Sequence, residues 1–280
     1  MKWPADRKWR WTEVSRRLSP PQLDDSLRLA VLAAHPDDET IGASCLLSHL
    51  SEPMVVYLTD GAPRDTRFWS PAVRGSRIEY AAIRQTEAKR ALAHAGISER
   101  QIVFLGGVDQ EAIFEVCNLA RSLVEVLEAY RTEVLLTHAY EGGHPDHDAA
   151  ALIASMACSR TEQKKRPELL EMTSYHARRG QCVTGEFLHP DLATEIRFEL
   201  AGEDHMRKRQ MIGEYVSQRL VLENFPLEAE RIRPALAYDF SKPPHEGKLW
   251  YECMGWPLEG KRWRELAVSA LSEIREQACR

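Results

Sequence analysis

Short apolar runs alternate with segments of helical periodicity through the first part of this 280-residue chain. Each run ends at a polar or glycine-containing break, which is typical of a buried strand. Strands are predicted in this way at 27–34, 54–59, 102–105, 133–137 and 171–176. Helices are predicted between them at 39–50, 78–95, 112–130 and 149–159. This alternation predicts an α/β fold, with a mostly parallel sheet and helices on both of its faces.

The pattern weakens after residue 180, where prolines interrupt the sequence. Two further strands are predicted at 194–200 and 249–254, and two further helices at 204–218 and 261–279. Neither a repeat nor a low-complexity linker is visible in the sequence. The chain is therefore expected to form one domain with a C-terminal extension.

Charge and composition narrow the classes of partner. The net charge of -5 provides no basic surface, so nucleic acid is not an expected partner. No apolar run approaches the roughly 18–20 residues that span a bilayer, and no apolar stretch of a secretory signal follows the charged N-terminus. The six cysteines are scattered and form no Cys-x-x-Cys pair, which favours free buried thiols. A cytoplasmic location is therefore predicted.

Two polar motifs follow predicted strands. The first motif, residues 35–39 (HPDDE), comes directly after the strand at 27–34. The second motif, residues 143–148 (GHPDHD), follows the strand at 133–137. Ligands of open parallel sheets bind outside the carboxyl ends of the strands, so we expect both motifs to contribute to one site.

The residue types of the two motifs suit a catalytic metal. A catalytic zinc usually has three protein ligands and one open position for water. His35 and Asp38 could supply two ligands, and either His144 or His147 the third. Asp37 is then placed to act as general base, and the remaining imidazole could protonate a leaving group or stabilise an oxyanion.

The remaining carboxylates of the second motif, Asp146 and Asp148, could orient the histidines. An aspartate-rich turn after a strand also serves as a helix N-cap, so either motif alone leaves that interpretation open. Their joint occurrence at strand ends favours the metal site. The sequence lacks His-Glu-x-x-His, Gly-x-Ser-x-Gly and the glycine-rich phosphate-binding motifs.

The two motifs together resemble those of the PIG-L/LmbE-like family of zinc-dependent N-deacetylases. The similarity extends through residues 58–61 (LTDG), Arg84 with Glu87, Lys208 and residues 215–218 (YVSQ). It implies a Rossmann-like sheet and the following division: an N-terminal arm at 1–26, a deacetylase domain at 27–218, and an extension at 219–280 packed on the same domain.

The resemblance also implies a role for each site residue. The implied zinc ligands are His35, Asp38 and His147. Asp37 would be the general base, His144 would assist the leaving amine or the intermediate, and Asp146 would tune His144. Arg84 and Asp109 would bind substrate. The expected cofactor is Zn²⁺, although two imidazoles and one carboxylate also accept Fe²⁺ or another divalent ion.

The activity implied is removal of an N-acetyl group from an N-acetylglucosamine-type sugar or conjugate, a small-molecule substrate. The sequence departs from some family members at Gly142, where they carry Tyr, and at Tyr215, where they carry His. The alternative is a zinc-dependent hydratase of an unsaturated polycarboxylate, for which Arg64, Arg67 and Arg84 would be suitable. A metal-free binding protein is disfavoured because every catalytic position is intact, and a homo-oligomer is left open.

Overall fold

The computed structural model describes residues 5–19, 23–162 and 165–278. The strands in these ranges are β1 (Leu29–Ala33), β2 (Met54–Thr59), β3 (Ile102–Gly107), β4 (Val134–His138), β5 (Glu168–Met172), β6 (Tyr175–Arg178), β7 (Gln181–Thr184), β8 (Ile196–Glu199) and β9 (Ala229–Pro234). The helices are α1 (Ala5–Leu18), α2 (Asp38–His49), α3 (Arg77–His94), α4 (Val116–Tyr130), α5 (Pro145–Arg160), α6 (Gly202–Glu214), α7 (Arg219–Leu222), α8 (Trp250–Cys253) and α9 (Gly260–Ala278).

A seven-stranded sheet in the order β3-β2-β1-β4-β5-β9-β8 forms the centre of the fold. The first five strands of that order are parallel, and β9 is antiparallel to both β5 and β8. Strand β1 lies between β2 and β4. From β1 the chain first adds β2 and β3 on one side, and then crosses to add β4 and β5 on the other side. A crevice forms at such a change of side, beyond the carboxyl ends of the strands. Both polar motifs follow the two strands that border it.

Apolar side chains of β1 alternate between two cores, one on each face of the sheet. Val31 belongs to the core that α2, α3 and α6 cover, and Leu32 to the core that α4, α5 and α9 cover. The predicted α/β class, with helices on both faces of a mostly parallel sheet, is confirmed. In the N-terminal arm, Val14 and Leu18 of α1 are buried in the first of these cores.

Buried ion pairs connect the antiparallel strand β9 to the parallel part of the molecule. Lys208 Nζ lies 3.0 Å from Glu230 Oε1, and the Arg233 Nε donates to Glu171 Oε1 over 2.6 Å. Glu230 also accepts hydrogen bonds from the backbone of Ser44 in α2. Removing one partner of such a pair typically costs about 3–5 kcal/mol, because the other charge stays buried.

The structure agrees with most predicted elements and corrects others. The strand at 54–59 is confirmed, whereas the strand predicted at 171–176 is divided between β5 and β6. The prediction of a strand at 249–254 is wrong, because Trp250–Cys253 forms the helix α8. The structure adds β9 and the hairpin of β6 with β7, which the sequence analysis missed. No described helix is long and apolar enough to cross a membrane. The division of the chain at residues 26 and 218 stays a prediction.

Candidate metal centre and active site

The first motif forms a tight turn between β1 and α2. His35 N–H donates to Asp38 Oδ2 over 2.8 Å, and Asp37 N–H donates to Glu39 Oε2 over 3.0 Å. Asp37 has a φ of +129°, a region that residues other than glycine rarely adopt. The turn therefore directs His35, Asp37 and Asp38 out of the strand end in a conformation that its own side chains stabilise. All three side chains are buried.

The second motif forms the entry to α5. His144 occupies the N-cap position, and its Nδ1 accepts the backbone N–H of Asp146 over 3.1 Å. Pro145 occupies the first turn, where the missing N–H costs nothing. Asp148 Oδ1 accepts the backbone N–H groups of Glu141 at 3.2 Å and Gly142 at 3.0 Å. This carboxylate therefore fixes the loop before the helix and orients no histidine, unlike the role considered for Asp148 from the sequence.

His35, Asp38 and His147 converge at the carboxyl ends of β1 and β4. His35 Nδ1 lies 3.3 Å from Asp38 Oδ2, and His147 Nε2 lies 3.2 Å from Asp38 Oδ1. One ligand atom from each residue lies within 4.8 Å of the others. Burial lowers the pKa of His147 to about 4, so its imidazole is neutral and its lone pair can bind a metal. Two imidazoles and one carboxylate fit a catalytic zinc or a similar divalent ion.

Asp146 supports this set from behind. Its Oδ2 lies 3.2 Å from His35 Nε2 and accepts the backbone N–H of Gln110 over 2.6 Å, while its Oδ1 accepts that of Ala112 over 3.1 Å. A carboxylate that holds the second nitrogen of a ligand histidine is a common feature of metal sites. The expectation that Asp146 tunes His144 therefore needs correction: its carboxylate contacts His35, and only its backbone N–H contacts His144.

His35 also belongs to a second group of donor residues, with Asp109, His144 and Asp146. Burial alone would lower the pKa of His35, but Asp109, Asp146 and Asp38 outweigh burial and hold that pKa well above its ordinary value. Such a concentration of carboxylates around an imidazole is suited to a cation. The backbone hydrogen bonds of Asp146 leave it less available as a ligand, which favours the group with Asp38.

Asp37 belongs to neither donor group, although it lies between His35 and Asp38 in the sequence. Its Oδ2 accepts a hydrogen bond from Arg84 Nη2 over 3.1 Å, and Arg84 Nε donates to Gly61 O over 3.2 Å. Burial raises the pKa of Asp37 to about 7 against the opposing charge of Arg84. Arg84 Nη1 has no hydrogen-bond partner among the described residues. The predicted base and the predicted substrate-binding arginine are therefore direct neighbours.

His144 and Asp109 lie on the other side of His35. His144 Nε2 is 3.7 Å from Asp109 Oδ1, and the rings of His144 and His35 are edge to face with centroids 4.3 Å apart. Burial, with the neighbouring His35 and His147, holds the pKa of His144 well below its ordinary value. All eight predicted site residues are thus brought to one end of the sheet.

Two further residues support His147. Ser174 Oγ lies 3.3 Å from His147 Nδ1, which leaves Nε2 to face Asp38. The ring of His138 stacks on that of His147 with centroids 4.0 Å apart, and its Nε2 accepts the Ala34 N–H. His138 is the last residue of β4, directly after the strand predicted at 133–137, and this position is the signal that could have identified it. Ser174 lies between β5 and β6, where no sequence signal identified it.

Seven of the eight predicted site residues, all except Asp146, line a pocket of about 320 Å³. Its walls are largely apolar or aromatic. The wall residues include Ile41, Pro63, Phe68, Trp69, Tyr80, Tyr175, Val221, Phe225, Met254 and Trp256. A concave apolar pocket with a few convergent polar groups is the usual form of a small-molecule site.

Residues 30–158 match the family described as "PIG-L: GlcNAc-PI de-N-acetylase". The chain is 26% identical over 174 residues to a mycothiol S-conjugate amidase of Streptomyces coelicolor, a match that covers 55% of this chain and 59% of that protein. It is 30% identical over 164 residues to the 1D-myo-inositol 2-acetamido-2-deoxy-alpha-D-glucopyranoside deacetylase of Corynebacterium efficiens, covering 50% of this chain and 52% of that protein. The chain thus spans little more than half the length of these relatives.

A solved structure of similar fold is the triple mutant of a deacetylase involved in the teicoplanin biosynthetic pathway. The TM-score is 0.55 at 17% sequence identity, and the match covers 76% of this chain and 99% of that one. This similarity supports the α/β architecture described above.

Proposed function

We propose that the protein is a metal-dependent amide hydrolase, and the match of residues 30–158 to the PIG-L family supports this. Its substrate would be an N-acetylglucosamine-type sugar or conjugate, from which it removes the N-acetyl group. The observation that carries the proposal is the convergence of His35, Asp38 and His147 beside an Asp37 that takes no part in that donor group. The names of the two relatives, an amidase and a deacetylase of an acetamido sugar, agree with amide hydrolysis.

His35, Asp38 and His147 would hold Zn²⁺ or a similar ion. When bound, such an ion polarises the amide carbonyl and makes a water molecule more acidic. Asp146 and Ser174 keep the two ligand imidazoles in the orientation that this requires, because each occupies the nitrogen that does not face Asp38. These two contacts therefore orient the donor set.

Asp37 would accept the proton of the attacking water. Its hydrogen bond to Arg84 fixes the carboxylate at the pocket floor, next to the ligand Asp38 in sequence. Arg84 Nη1 has no described hydrogen-bond partner and lies 4.0 Å from Glu87 Oε2, so it could bind a polar group of the sugar. A positioned general base of this kind typically contributes about 10²–10⁴-fold to the rate.

His144 would act as a hydrogen-bond donor through Nε2. Its Nδ1 accepts the backbone N–H of Asp146, and a neutral imidazole carries its proton on the other nitrogen. That N–H could stabilise the negative charge that develops on the carbonyl oxygen, or transfer its proton to the leaving amine. Acetate and a free amino sugar would result.

The hydratase alternative receives less support from the arginines that suggested it. Arg64 Nε donates to Glu111 Oε1 over 2.8 Å, and Arg67 Nη2 lies 2.6 Å from Asp65 Oδ2. Arg84 is likewise paired with Asp37. Each cation already faces a carboxylate of this chain, so the charge available for a polycarboxylate substrate is reduced. The cytoplasmic location stays a prediction from the sequence.

Acetate release tests the proposal directly. The purified protein would be given N-acetylglucosamine, its β-linked oligomers and an α-linked conjugate, with Zn²⁺ added or with a chelator. We expect acetate from at least one substrate, and its loss with the chelator. An Asp37→Asn variant is the matched control, because it keeps the shape of the site and removes the base. A protein that binds one metal, releases no acetate and hydrates an unsaturated polycarboxylate would overturn the proposal.

A further inference from the structure

The pocket has a second half that the proposed chemistry does not use. The C-terminal extension contributes Trp256 and Met254 to its wall, and the segment before α3 contributes Phe68. The ring of Trp256 is edge to face with His144 at a centroid distance of 4.3 Å, and with Phe68 at 6.0 Å. An aromatic pair therefore extends from the predicted catalytic histidine along the wall of the pocket.

Trp256 is held in place by its own segment and by the second motif. Trp250 N–H donates to Gly142 O over 2.8 Å, and Trp256 N–H donates to Tyr251 O over 3.1 Å. Leu249 packs so closely on Gly142 that a Cβ there would lie 2.7 Å from Leu249 Cδ2. Gly142 thus allows the close approach of the C-terminal extension.

Two aliphatic side chains add to this wall while staying partly open to solvent. Val221 and Met254 both line the pocket, yet they are 51% and 50% exposed. A ligand that covers half-exposed apolar side chains in a pocket wall binds more favourably, because apolar area is removed from water. Arg67 also lines the pocket, and its positive charge is paired with the Asp65 carboxylate.

We propose that Trp256, Phe68, Met254 and Val221 form a subsite for an apolar aglycone, an aryl or alkyl group attached to the amino sugar. This inference rests on the proposed function, because it assigns the acetamide to the metal side of the pocket and the aglycone to the aromatic side. Tryptophan and phenylalanine provide faces for an aryl ring, and all four side chains provide contact for an alkyl chain. A charged or polyhydroxylated aglycone would leave this surface poorly matched.

Steady-state acetate release measures the preference. N-acetylglucosamine would be compared with its phenyl and hexyl β-glycosides, which separate aryl from alkyl recognition. We expect the KM of at least one apolar glycoside to be about tenfold below that of the free sugar, a difference of about 1.4 kcal/mol. Equal KM values for all three substrates would overturn the proposal.

Variants locate the effect. Met254→Ser and Trp256→Ala should raise the KM of the preferred glycoside about threefold and tenfold, and each should raise it more than the KM of free N-acetylglucosamine. Met206→Ser is the matched control, since Met206 is a 59% exposed methionine on α6 that does not line the pocket. Equal changes for the glycoside and the free sugar would assign these side chains a merely structural role.

Calorimetric binding separates this inference from the proposed function. Phenyl and hexyl β-glucosides lack the acetamide, so they probe the apolar subsite in the chelator-treated protein without any turnover. We expect binding of at least one of them that Trp256→Ala weakens about tenfold and Met206→Ser does not. Binding without acetate release from any N-acetyl sugar would contradict the hydrolase and keep the subsite. Acetate release without such binding would contradict the subsite alone.

Discussion

The two polar motifs differ in where their supports come from. The first motif is held by Arg84 on Asp37 and by Tyr215, whose hydroxyl donates to Glu39. Both supports precede residue 219. The second motif is held as well by the C-terminal extension: Trp250 N–H donates to Gly142 O, and Trp263 Nε1 donates to Pro145 O over 3.0 Å.

The two motifs supply the predicted catalytic residues, but the C-terminal extension supplies part of the support for the second motif. The family match ends at residue 158, yet the loop that carries His144 rests on residues near 250 and 263. Changes in the extension can therefore alter the second motif while the first keeps its geometry. The contrast predicts that variants of the two regions will affect different measurable quantities.

The largest effect is expected from the ligand that the second motif supplies. His147→Ala should release the metal although both ligands of the first motif remain, because two donors hold a divalent ion far more weakly than three. Metal content after dialysis, measured by mass spectrometry, tests this. His94→Ala, a histidine paired with Glu214 away from the pocket, serves as control. A His147→Ala protein that retains stoichiometric zinc would contradict the ligand assignment.

A smaller effect is expected from the base that the first motif supplies. Asp37→Ala should keep the metal and lower the turnover number about 10³-fold, since a general base typically contributes about 10²–10⁴-fold. The turnover number and metal content would be measured on the same preparation. Loss of the metal in this variant would instead make Asp37 a ligand.

The smallest effect is expected from the extension. Trp263→Phe removes the hydrogen bond to Pro145 and part of a fully buried side chain, and should lower the free energy of unfolding by about 2 kcal/mol. Urea denaturation measures this, with Trp250→Phe as control, because no hydrogen bond of the Trp250 indole is among those described. The metal content should not change. Equal decreases in the free energy of unfolding of the two variants would show that the hydrogen bond from Trp263 to Pro145 adds no measurable stability.

The parallel half of the fold could be predicted because its strands are uninterrupted apolar runs. Strand β9 could not be predicted, because its sequence (AERIRP) contains charged residues. Two of them, Glu230 and Arg233, are buried because they pair with Lys208 and Glu171. The error at α8 has a similar cause. Residues 249–254 are rich in aromatic and apolar side chains, but the Glu252 carboxylate accepts the Leu249 N–H over 2.9 Å and stabilises the start of a helix there.

The candidate site was more predictable than the edge of the fold. Its predicted ligands lie within two short motifs at strand ends, so local sequence was enough to group them. Contacts between distant segments were not available from sequence. The carboxylate of Asp146 turned out to face His35, and Ser174 approaches His147 from the break between β5 and β6.

The positive φ of Asp37 has a consequence for how such a protein evolves. A glycine would adopt that backbone conformation without strain, and it would also remove the carboxylate. Removing that carboxylate would leave the buried Arg84 without its partner, which typically costs about 3–5 kcal/mol. The ion pair thus outweighs the backbone strain, and copies of the chain that have lost their catalytic duty should keep Asp37 as long as they keep Arg84.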